Sequence, residues 1–205
     1  LSMDGSKTVE QRKKLLKICY KIIFNSAWSK KRFLEGLENK FINSNKLLIF
    51  YQSAQKSKLS IINKKKKWIT FVGKLNKAKG YDIFAKAIIK ILNKFPEWEA
   101  KIIGDEKREK IPLFHKRATN LGFKKHYEVL NIFKKTSITV ACSRWDEPFG
   151  RTSLEASANG CAVIITNKGG LPETVTDAKI ISKLNVKSLY RSIKNLIENK
   201  KIRLR

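Results

Sequence analysis

The sequence predicts an α/β protein with a doubly wound parallel sheet and a small N-terminal piece of a second domain. From residue 68 onward, short apolar stretches typical of buried strands alternate with segments whose apolar residues recur at helical spacing. Apolar strands that alternate with amphipathic helices favour a parallel sheet with both faces covered. Right-handed crossovers make such a sheet doubly wound. The length of 205 residues allows one substantial core.

The first part of the chain, residues 1–51, is predicted to form the small piece. Thr8 followed three residues later by Gln11 has the spacing of a capping box, which predicts the start of a helix. Ser29 is the expected N-cap of a second helix. The elements predicted here are a basic helix to residues 18–20, a strand at 21–25, a helix at 29–37 and a strand at 47–51. The polar segment 52–67 is expected to link this piece to the main domain.

The main domain is predicted to span residues 68–205. Its clearest helix covers residues 80–94, where apolar side chains repeat on one face at Phe84, Ala87, Ile88, Ile91 and Leu92. The other predicted elements are strands at 68–72, 100–103, 118–121, 137–142, 161–166 and 179–181, and helices at 126–134, after Gly150, from 172–173 and at 186–199. Ligands of such folds bind at the carboxyl ends of the strands. The loops after Val72, Cys142 and Thr166 are therefore expected to be neighbours.

The net charge of +28 has three candidate causes: a nucleic-acid partner, an anionic membrane surface, or a genome whose codons favour Lys, Asn and Ile. Lysines spread through loops and exposed helix faces favour the third cause. We expect no nucleic-acid partner, whereas peripheral contact with an anionic membrane is compatible with the sequence. A basic α/β protein that binds nucleic acid or a membrane without catalysis is the alternative function.

The cysteines and histidines indicate neither disulfides nor a metal site. Cys19, Cys142 and Cys161 are widely spaced among apolar neighbours, which is typical of buried thiols in a reducing compartment. There is no CxxC pair, and the histidines are limited to His115 and His126. No apolar run approaches the roughly 20 residues of a membrane-spanning helix, and no secretory signal opens the sequence. We expect a cytoplasmic location, with the inner face of the membrane as one option.

The start of the helix after Gly150 is predicted to seat a phosphate. Gly150 lets the backbone approach a ligand closely because it lacks a Cβ. The amides of Arg151, Thr152 and Ser153 fall in the first helical turn, where they have no partner within the helix. These amides and the positive end of the helix dipole together favour an anion. Phe149, just before the glycine, is either an apolar plug under the helix or a ligand contact through its backbone amide.

Two glutamates flank this helix start. Glu155 lies one turn into the helix, and its side chain leans back toward the phosphate seat. A carboxylate only accepts hydrogen bonds, so its natural partner beside a phosphate is a vicinal diol such as that of a ribose. Glu147, ahead of the helix, would reach the opposite end of the same ligand. Either glutamate alone is more typical of a solvated surface acid, but the whole arrangement predicts a pocket for a nucleoside diphosphate that carries a hydroxyl-rich group.

The loop from Gly73 to Gly80 is predicted to supply cations to this ligand. Lys74 follows the first strand of the main domain and Lys79 precedes the next helix, so both can reach a dianion at the strand ends. The loop is neither a Walker A motif nor GxGxxG. Lys77, in the same loop, is expected to be solvated.

The stretch 142–173 resembles the donor-binding half of retaining glycosyltransferases with the GT-B fold, specifically family 4, also called group 1. The signature of that family is a glutamate, seven residues and a second glutamate, which is EPFGRTSLE here. The segments ASANG, CAVIIT and NKGGLPE follow in the family's order. The loop from Gly73 is similar to the family's Gly-Arg-Leu-x-x-x-Lys-Gly, with Lys74 where arginine is usual. Lysine lacks the planar two-pronged grip of arginine, so we expect weaker orientation of the diphosphate.

The resemblance implies that residues 68–205 are the C-terminal, nucleotide-sugar-binding domain of a GT-B fold and that residues 1–51 are a remnant of the acceptor-side domain. It implies transfer of a sugar from a nucleotide-diphosphate sugar to a glycan or lipid-linked acceptor, with retention, in polysaccharide or lipopolysaccharide biosynthesis. By itself this chain is expected to bind the donor and to turn over poorly.

The resemblance also implies roles for the site residues. Lys74 and Lys79 would stabilise the departing diphosphate together with the helix amides, so no cofactor or metal is expected. Glu147 would orient the sugar and Glu155 would anchor the ribose. Phe123 lies where relatives hold the nucleobase, and Trp145, before the key loop, is expected to be structural.

Overall fold

A computed structural model of the chain describes residues 8–41, 44–56 and 65–204. The chain divides into two compact units, Leu1–Gln52 and Ser53–Arg205. Of the predicted linker 52–67, residues 57–64 lie outside the described residues, and the predicted strand start at residue 68 moves back to Lys66. The sequence does not indicate this start because Lys66 and Lys67 are exposed lysines and not apolar residues. The Nζ of Lys66 lies 4.9 Å from the centroid of the Trp68 ring.

The small unit packs two helices on a two-stranded parallel sheet. Its elements are α1 (Val9–Ile18), β1 (Ile22–Phe24), α2 (Ala27–Leu34) and β2 (Leu47–Ile49), with a short 3₁₀ turn at Asn39–Phe41. Their apolar faces form one core cluster of Leu16, Ile22, Phe24, Phe33, Leu37 and Leu47. The capping box at the start of α1 is confirmed, since Thr8 Oγ1 accepts from Gln11 N at 3.1 Å and Gln11 Oε1 accepts from Thr8 N at 3.2 Å.

The predicted start of α2 is wrong. The helix begins at Ala27, and its N-cap is Ser26, whose Oγ accepts from Ser29 N at 2.9 Å. Ser29 is the third helical residue. The sequence offers a serine at both places, and the extended backbone of Ser26 (φ −156°) decides between them.

The large unit is an α/β domain with a parallel sheet, which confirms the predicted fold class. Among residues 65–204 its elements in chain order are β3 (Lys66–Val72), α3 (Tyr81–Lys94), β4 (Glu99–Ile103), β5 (Ala118–Asn120), α4 (His126–Lys135), β6 (Thr136–Ala141), α5 (Arg151–Ala158), β7 (Ala162–Thr166), β8 (Lys179–Ile181), α6 (Val186–Glu198) and α7 (Lys200–Arg203). Most predicted boundaries agree to within two residues. The helix expected from residue 172 is a single 3₁₀ turn, Leu171–Glu173, closed by the Thr174 hydroxyl donating to Leu171 O at 2.7 Å.

The six described strands of this domain pair in the order β5-β4-β3-β6-β7-β8, and all neighbours are parallel. Helices cover both faces. One apolar cluster joins α3 and α6 to the sheet, and a second joins α4 and α5 to the opposite face. The strand order reverses between β3 and β6, so the loops that leave their carboxyl ends diverge and open a crevice there.

The cysteines follow the prediction in part. Cys142 and Cys161 are buried and free, whereas Cys19 is only half buried, so its predicted burial is wrong. Burial raises the pKa of the Cys142 thiol to about 12. None of the helices in the described part of the chain is long and apolar enough to cross a membrane.

A comparison of Gly80 with Gly122 tests how closely the loop after β3 packs against the start of the loop after β6. Gly122, which follows β5, is the control. Both have a positive φ, +72° and +64°, but a Cβ on Gly80 would lie 2.0 Å from Cys142 O, whereas a Cβ on Gly122 would meet nothing within 4 Å. We expect Gly122→Ala to cost about 1 kcal/mol through backbone strain alone. Gly80→Ala should lower the free energy of unfolding by at least about 2 kcal/mol more, because the backbone must shift. Urea unfolding of both variants measures this, and equal losses would contradict the close contact.

Candidate active site

A cavity of about 260 Å³ opens at the carboxyl ends of β3 and β6, where the strand order reverses. Its wall includes Gly73 and Lys79 from the loop after β3, and Glu147 and residues 150–153 from the loop and helix after β6. The prediction that these two loops are neighbours is therefore confirmed. Leu171, after β7, completes the wall on the third side.

The first turn of α5 has the geometry expected of an anion seat, with one amide fewer than predicted. Gly150 is the N-cap with φ +113°, and a Cβ there would lie 2.4 Å from Leu171 Cδ2. The amide of Ser153 donates back to Gly150 O at 3.2 Å, in the manner of a 3₁₀ turn. Within the described residues, the amides of Arg151 and Thr152 donate to no protein acceptor. These two amides therefore remain for a ligand.

Lys79 and Glu147 form an ion pair on the cavity wall. The Nζ of Lys79 contacts Oε1 of Glu147, and their side chains are 34% and 16% exposed. The turn before α3 fixes the backbone of the lysine, because Lys79 N donates to Asn76 Oδ1 at 3.0 Å. The sequence predicts the two residues for different parts of one ligand, and the structure brings them into direct contact.

The loop after β6 is bound to the loop after β3 at one carbonyl oxygen, that of Ala78. This oxygen accepts from the amides of Arg144 at 2.8 Å and Trp145 at 3.2 Å and from the Ser143 hydroxyl at 3.2 Å. The Arg144 guanidinium also holds Asp82, in the first turn of α3, through two bonds of 2.6 and 2.8 Å. These contacts set the distance between the two walls of the cavity.

The glycine loop after β7 supports Glu147 from behind. Gly170 N donates to Glu147 O at 2.6 Å. Gly169 has φ +59°, and a Cβ there would lie 2.2 Å from the same oxygen. These two glycines thus bring backbone close to the site, and their contact is with the main chain of Glu147.

Glu155 is buried and hydrogen bonded on one side. Its Oε1 accepts from Arg151 Nε at 2.7 Å and from His126 Nε2 at 2.9 Å. The pair with Arg151 has the i,i+4 spacing that the sequence displays. His126 is the residue that sequence reasoning missed, because it lies 29 positions away and reaches the glutamate only through the packing of α4 beside α5.

Other predicted residues lie outside the cavity wall. Lys74 is exposed and does not line the cavity. Phe149 is 3% exposed, which favours the apolar plug among its two interpretations. Phe123 is 75% exposed. Trp145, predicted to be structural, is 54% exposed, and its backbone amide is the group that donates to the loop after β3.

Across the described residues, His, Cys, Asp and Glu side chains form no group of three or more that could hold a metal ion. The basic residues in the cavity wall are Lys79 and Arg151, and the Arg151 guanidinium is bound to Glu155. The cavity wall can therefore bind a dianion through two backbone amides and the Lys79 ammonium group, beside the Glu147 carboxylate, which can accept from hydroxyl groups. Glu155 does not line this cavity.

The class of protein follows from this fold and site. The structure is similar to that of Anabaena Alr3699/HepE, solved in complex with UDP and glucose, with a TM-score of 0.76, 18% identity and coverage of 100% of this chain and 60% of that chain. The large unit is a Rossmann-like half of a GT-B fold. Residues 52–205 match the model of the family "Glycosyl transferases group 1", and the chain belongs to that family.

Two curated relatives match about half of the chain. Spore coat protein SA of Bacillus subtilis is 29% identical over 127 residues, which is 56% of this chain and 34% of the relative. Lipopolysaccharide core biosynthesis mannosyltransferase LpsB of Rhizobium meliloti is 30% identical over 121 residues, which is 54% of this chain and 34% of the relative. The match thus spans about a third of the length of these relatives.

Asp82 is expected to stabilise the domain in a pH-dependent way. The hydrogen bonds from Arg144 hold the pKa of the Asp82 carboxyl below its ordinary value. A depressed pKa contributes stability above the unfolded pKa of about 3.9, and that stability is lost as the pH falls through the folded pKa. We expect Asp82→Asn to lose about 1 kcal/mol near neutral pH, and the difference from the wild type to shrink progressively as the pH falls below the unfolded pKa of about 3.9.

Urea unfolding at several pH values measures this difference. Glu198→Gln is the matched control, because Glu198 pairs with Lys194 at 2.9 Å on an exposed helix face and its loss removes the same charge. It should cost less than about 0.5 kcal/mol at every pH. A deficit of Asp82→Asn that persists unchanged in acid would show that the ion pair is not its source.

Proposed function

We propose that this chain is the C-terminal donor-binding portion of a retaining family 4 glycosyltransferase, which transfers a sugar from a nucleotide-diphosphate sugar to a glycan or lipid-linked acceptor. The observation that carries the proposal is the meeting of Lys79, Glu147 and the first turn of α5 on one cavity wall. Residues 68–205 would hold the donor, and residues 1–51 would belong to the acceptor side.

The diphosphate would lie between Lys79 and the start of α5. The amides of Arg151 and Thr152 point to the positive end of the helix as the seat of one phosphate, and the ammonium group of Lys79 would bind the other. Negative charge grows on the diphosphate as the bond to the sugar breaks, so groups fixed around it stabilise the transition state more than the bound donor. This preorganised positive charge requires neither a metal nor a cofactor. Lys74, exposed in the same loop, would add a weaker long-range attraction.

The ion pair of Lys79 and Glu147 suggests how the donor engages both residues. A bound diphosphate carries more charge than a carboxylate and would compete for the Lys79 ammonium group. Glu147 would then be released to accept from the hydroxyl groups of the sugar, held in place by Gly169 and Gly170 behind its main chain. Glu155 would accept from the ribose. One exchange of partners would thus couple binding of the diphosphate to orientation of the sugar.

Two similar proteins support the proposed donor and the proposed acceptor by analogy. Alr3699/HepE was solved with UDP and glucose, and LpsB is named as a mannosyltransferase of lipopolysaccharide core biosynthesis. Retention is proposed from the resemblance of EPFGRTSLE to the retaining family. The net charge of +28 supports a further proposal, peripheral contact with an anionic membrane that carries the acceptor. Donor binding is the part of the reaction that can be measured with this chain.

Lys79→Met is expected to weaken binding of a nucleoside diphosphate about 10- to 100-fold, the value of one lost hydrogen bond between charged groups. Lys77→Met is the matched control. Lys77 lies two residues away in the same loop, with its Nζ 3.2 Å from Glu109 Oε1 and its side chain 71% exposed, and its loss removes the same charge from a very basic protein. It should change the affinity less than about threefold.

Isothermal titration with UDP, GDP and ADP measures both variants. If the wild type bound none of the three, the proposed function would fail. If Lys77→Met weakened binding as much as Lys79→Met, general electrostatic attraction would explain the affinity, and the assigned site would fail.

Glu147→Gln separates the two roles of the ion pair. Removal of the carboxylate charge leaves Lys79 without its competing partner, so the affinity for a nucleoside diphosphate should rise about three- to tenfold. The additional affinity gained from a sugar on that diphosphate should fall, because a neutral amide accepts more weakly from hydroxyl groups. Titration with UDP and UDP-glucose gives both values. GDP with GDP-glucose, or ADP with ADP-glucose, serves in the same way if the chain binds those nucleotides. If the variant lost affinity for both ligands by the same factor, the exchange of partners would be contradicted.

A further inference from the structure

The carboxylate of Glu155 is held at one oxygen from two different helices. Its side chain is 9% exposed, while the two groups that donate to Oε1, Arg151 Nε and His126 Nε2, belong to side chains that are 61% and 59% exposed. Arg151 is the first residue of α5 and His126 is the first residue of α4. The two donors therefore reach the glutamate from the first turns of two different helices.

The other oxygen is differently placed. Within the described residues Oε2 accepts no hydrogen bond, and it is not among the buried polar atoms that lack a partner. It therefore keeps some access to solvent. A carboxylate with one oxygen fixed and the other accessible presents a defined acceptor, because its rotation about the last side-chain bond is restricted.

We propose that Arg151 and His126 are positioning residues for the donor: they hold Oε1 of Glu155 and so present Oε2 to the diol of the ribose. The inference rests on the proposed function, since it assigns a task to two side chains beside the glutamate that would anchor the nucleoside. Neither side chain needs to touch the reacting atoms.

Two features favour positioning over simple neutralisation of a buried charge. The i,i+4 pair with Arg151 would already neutralise Glu155 from within its own helix. The second donor, His126, comes from another helix and binds the same oxygen rather than the accessible one. Holding the acceptor in place before the ligand arrives lowers the entropy lost on binding.

The test compares a nucleoside diphosphate with its 2′-deoxy form. The probe is whichever of UDP, GDP and ADP the wild type binds most tightly, and the readout is the ratio of the two dissociation constants. Changes in phosphate affinity cancel in this ratio because both ligands carry the same diphosphate. A hydroxyl group that donates to a carboxylate should give the wild type a ratio of about tenfold or more.

Arg151→Met and His126→Phe should each reduce this ratio to about threefold or less, because a carboxylate free to rotate gains less from a single hydroxyl group. His126→Gln should keep most of the ratio, since the glutamine amide can still donate to Oε1. The two removals lie on different helices, so the one that remains folded by circular dichroism carries the test.

The outcomes separate the inference from the proposed function. If the wild type bound no nucleoside diphosphate, both would fail. If it bound one with a ratio near unity, or if both variants lost thermal stability but kept the ratio of the wild type, the diphosphate site would stand and the positioning role of Arg151 and His126 would be overturned.

Discussion

The carbonyl oxygen of Ala78 is the point on which the geometry of the site depends. Three donors from the loop after β6 converge on it, the amides of Arg144 and Trp145 and the hydroxyl of Ser143. Since β3 and β6 are neighbours at the place where the strand order reverses, two crossovers that lead in opposite directions are joined there. Lys79, the next residue after Ala78, is consequently brought beside Glu147.

Glycines permit this joining because side chains would keep the backbones apart. A Cβ on Gly80 would collide with Cys142 O, and a Cβ on Gly169 would collide with Glu147 O. Both glycines also have the positive φ that other residues rarely adopt. The same residue type thus serves two purposes, a turn and a close approach, at two walls of the cavity. The charged groups in the cavity wall inherit their spacing from these contacts.

In a protein with a net charge of +28, the position of the acidic residues is more informative than that of the lysines. Glu147 lies in the cavity wall and pairs with Lys79, and Glu155, one helical turn after the start of α5, pairs with Arg151 and accepts a hydrogen bond from His126. Most lysines among the described residues, in contrast, lie on exposed surface, where ion pairs contribute little. The ordered pairs make this crevice electrostatically distinct from the surrounding basic surface.

Much of this arrangement could be predicted from the sequence, because it depends on local patterns. The apolar strands, the helical spacing in α3 and the capping box at Thr8 are readable over a few residues, and the parallel topology then brings the loops together. Contacts between elements could not be predicted from these local patterns. His126 reaches Glu155 only through the packing of two helices, and the choice of Ser26 over Ser29 as N-cap depends on the backbone angle at one residue. The exposure of Lys74 likewise depends on how its loop folds.

The proposed function requires a diphosphate to lie against the amino end of α5, with Lys79 opposite. The most direct measurement is an amide proton–nitrogen correlation spectrum of the labelled chain during titration with UDP, GDP or ADP. We expect the largest shift changes on the amides of Arg151 and Thr152 and on the loop around Lys79, and we expect them to saturate at one equivalent. Small changes spread over the lysine-rich surface, with none concentrated at the start of α5, would contradict the proposed function.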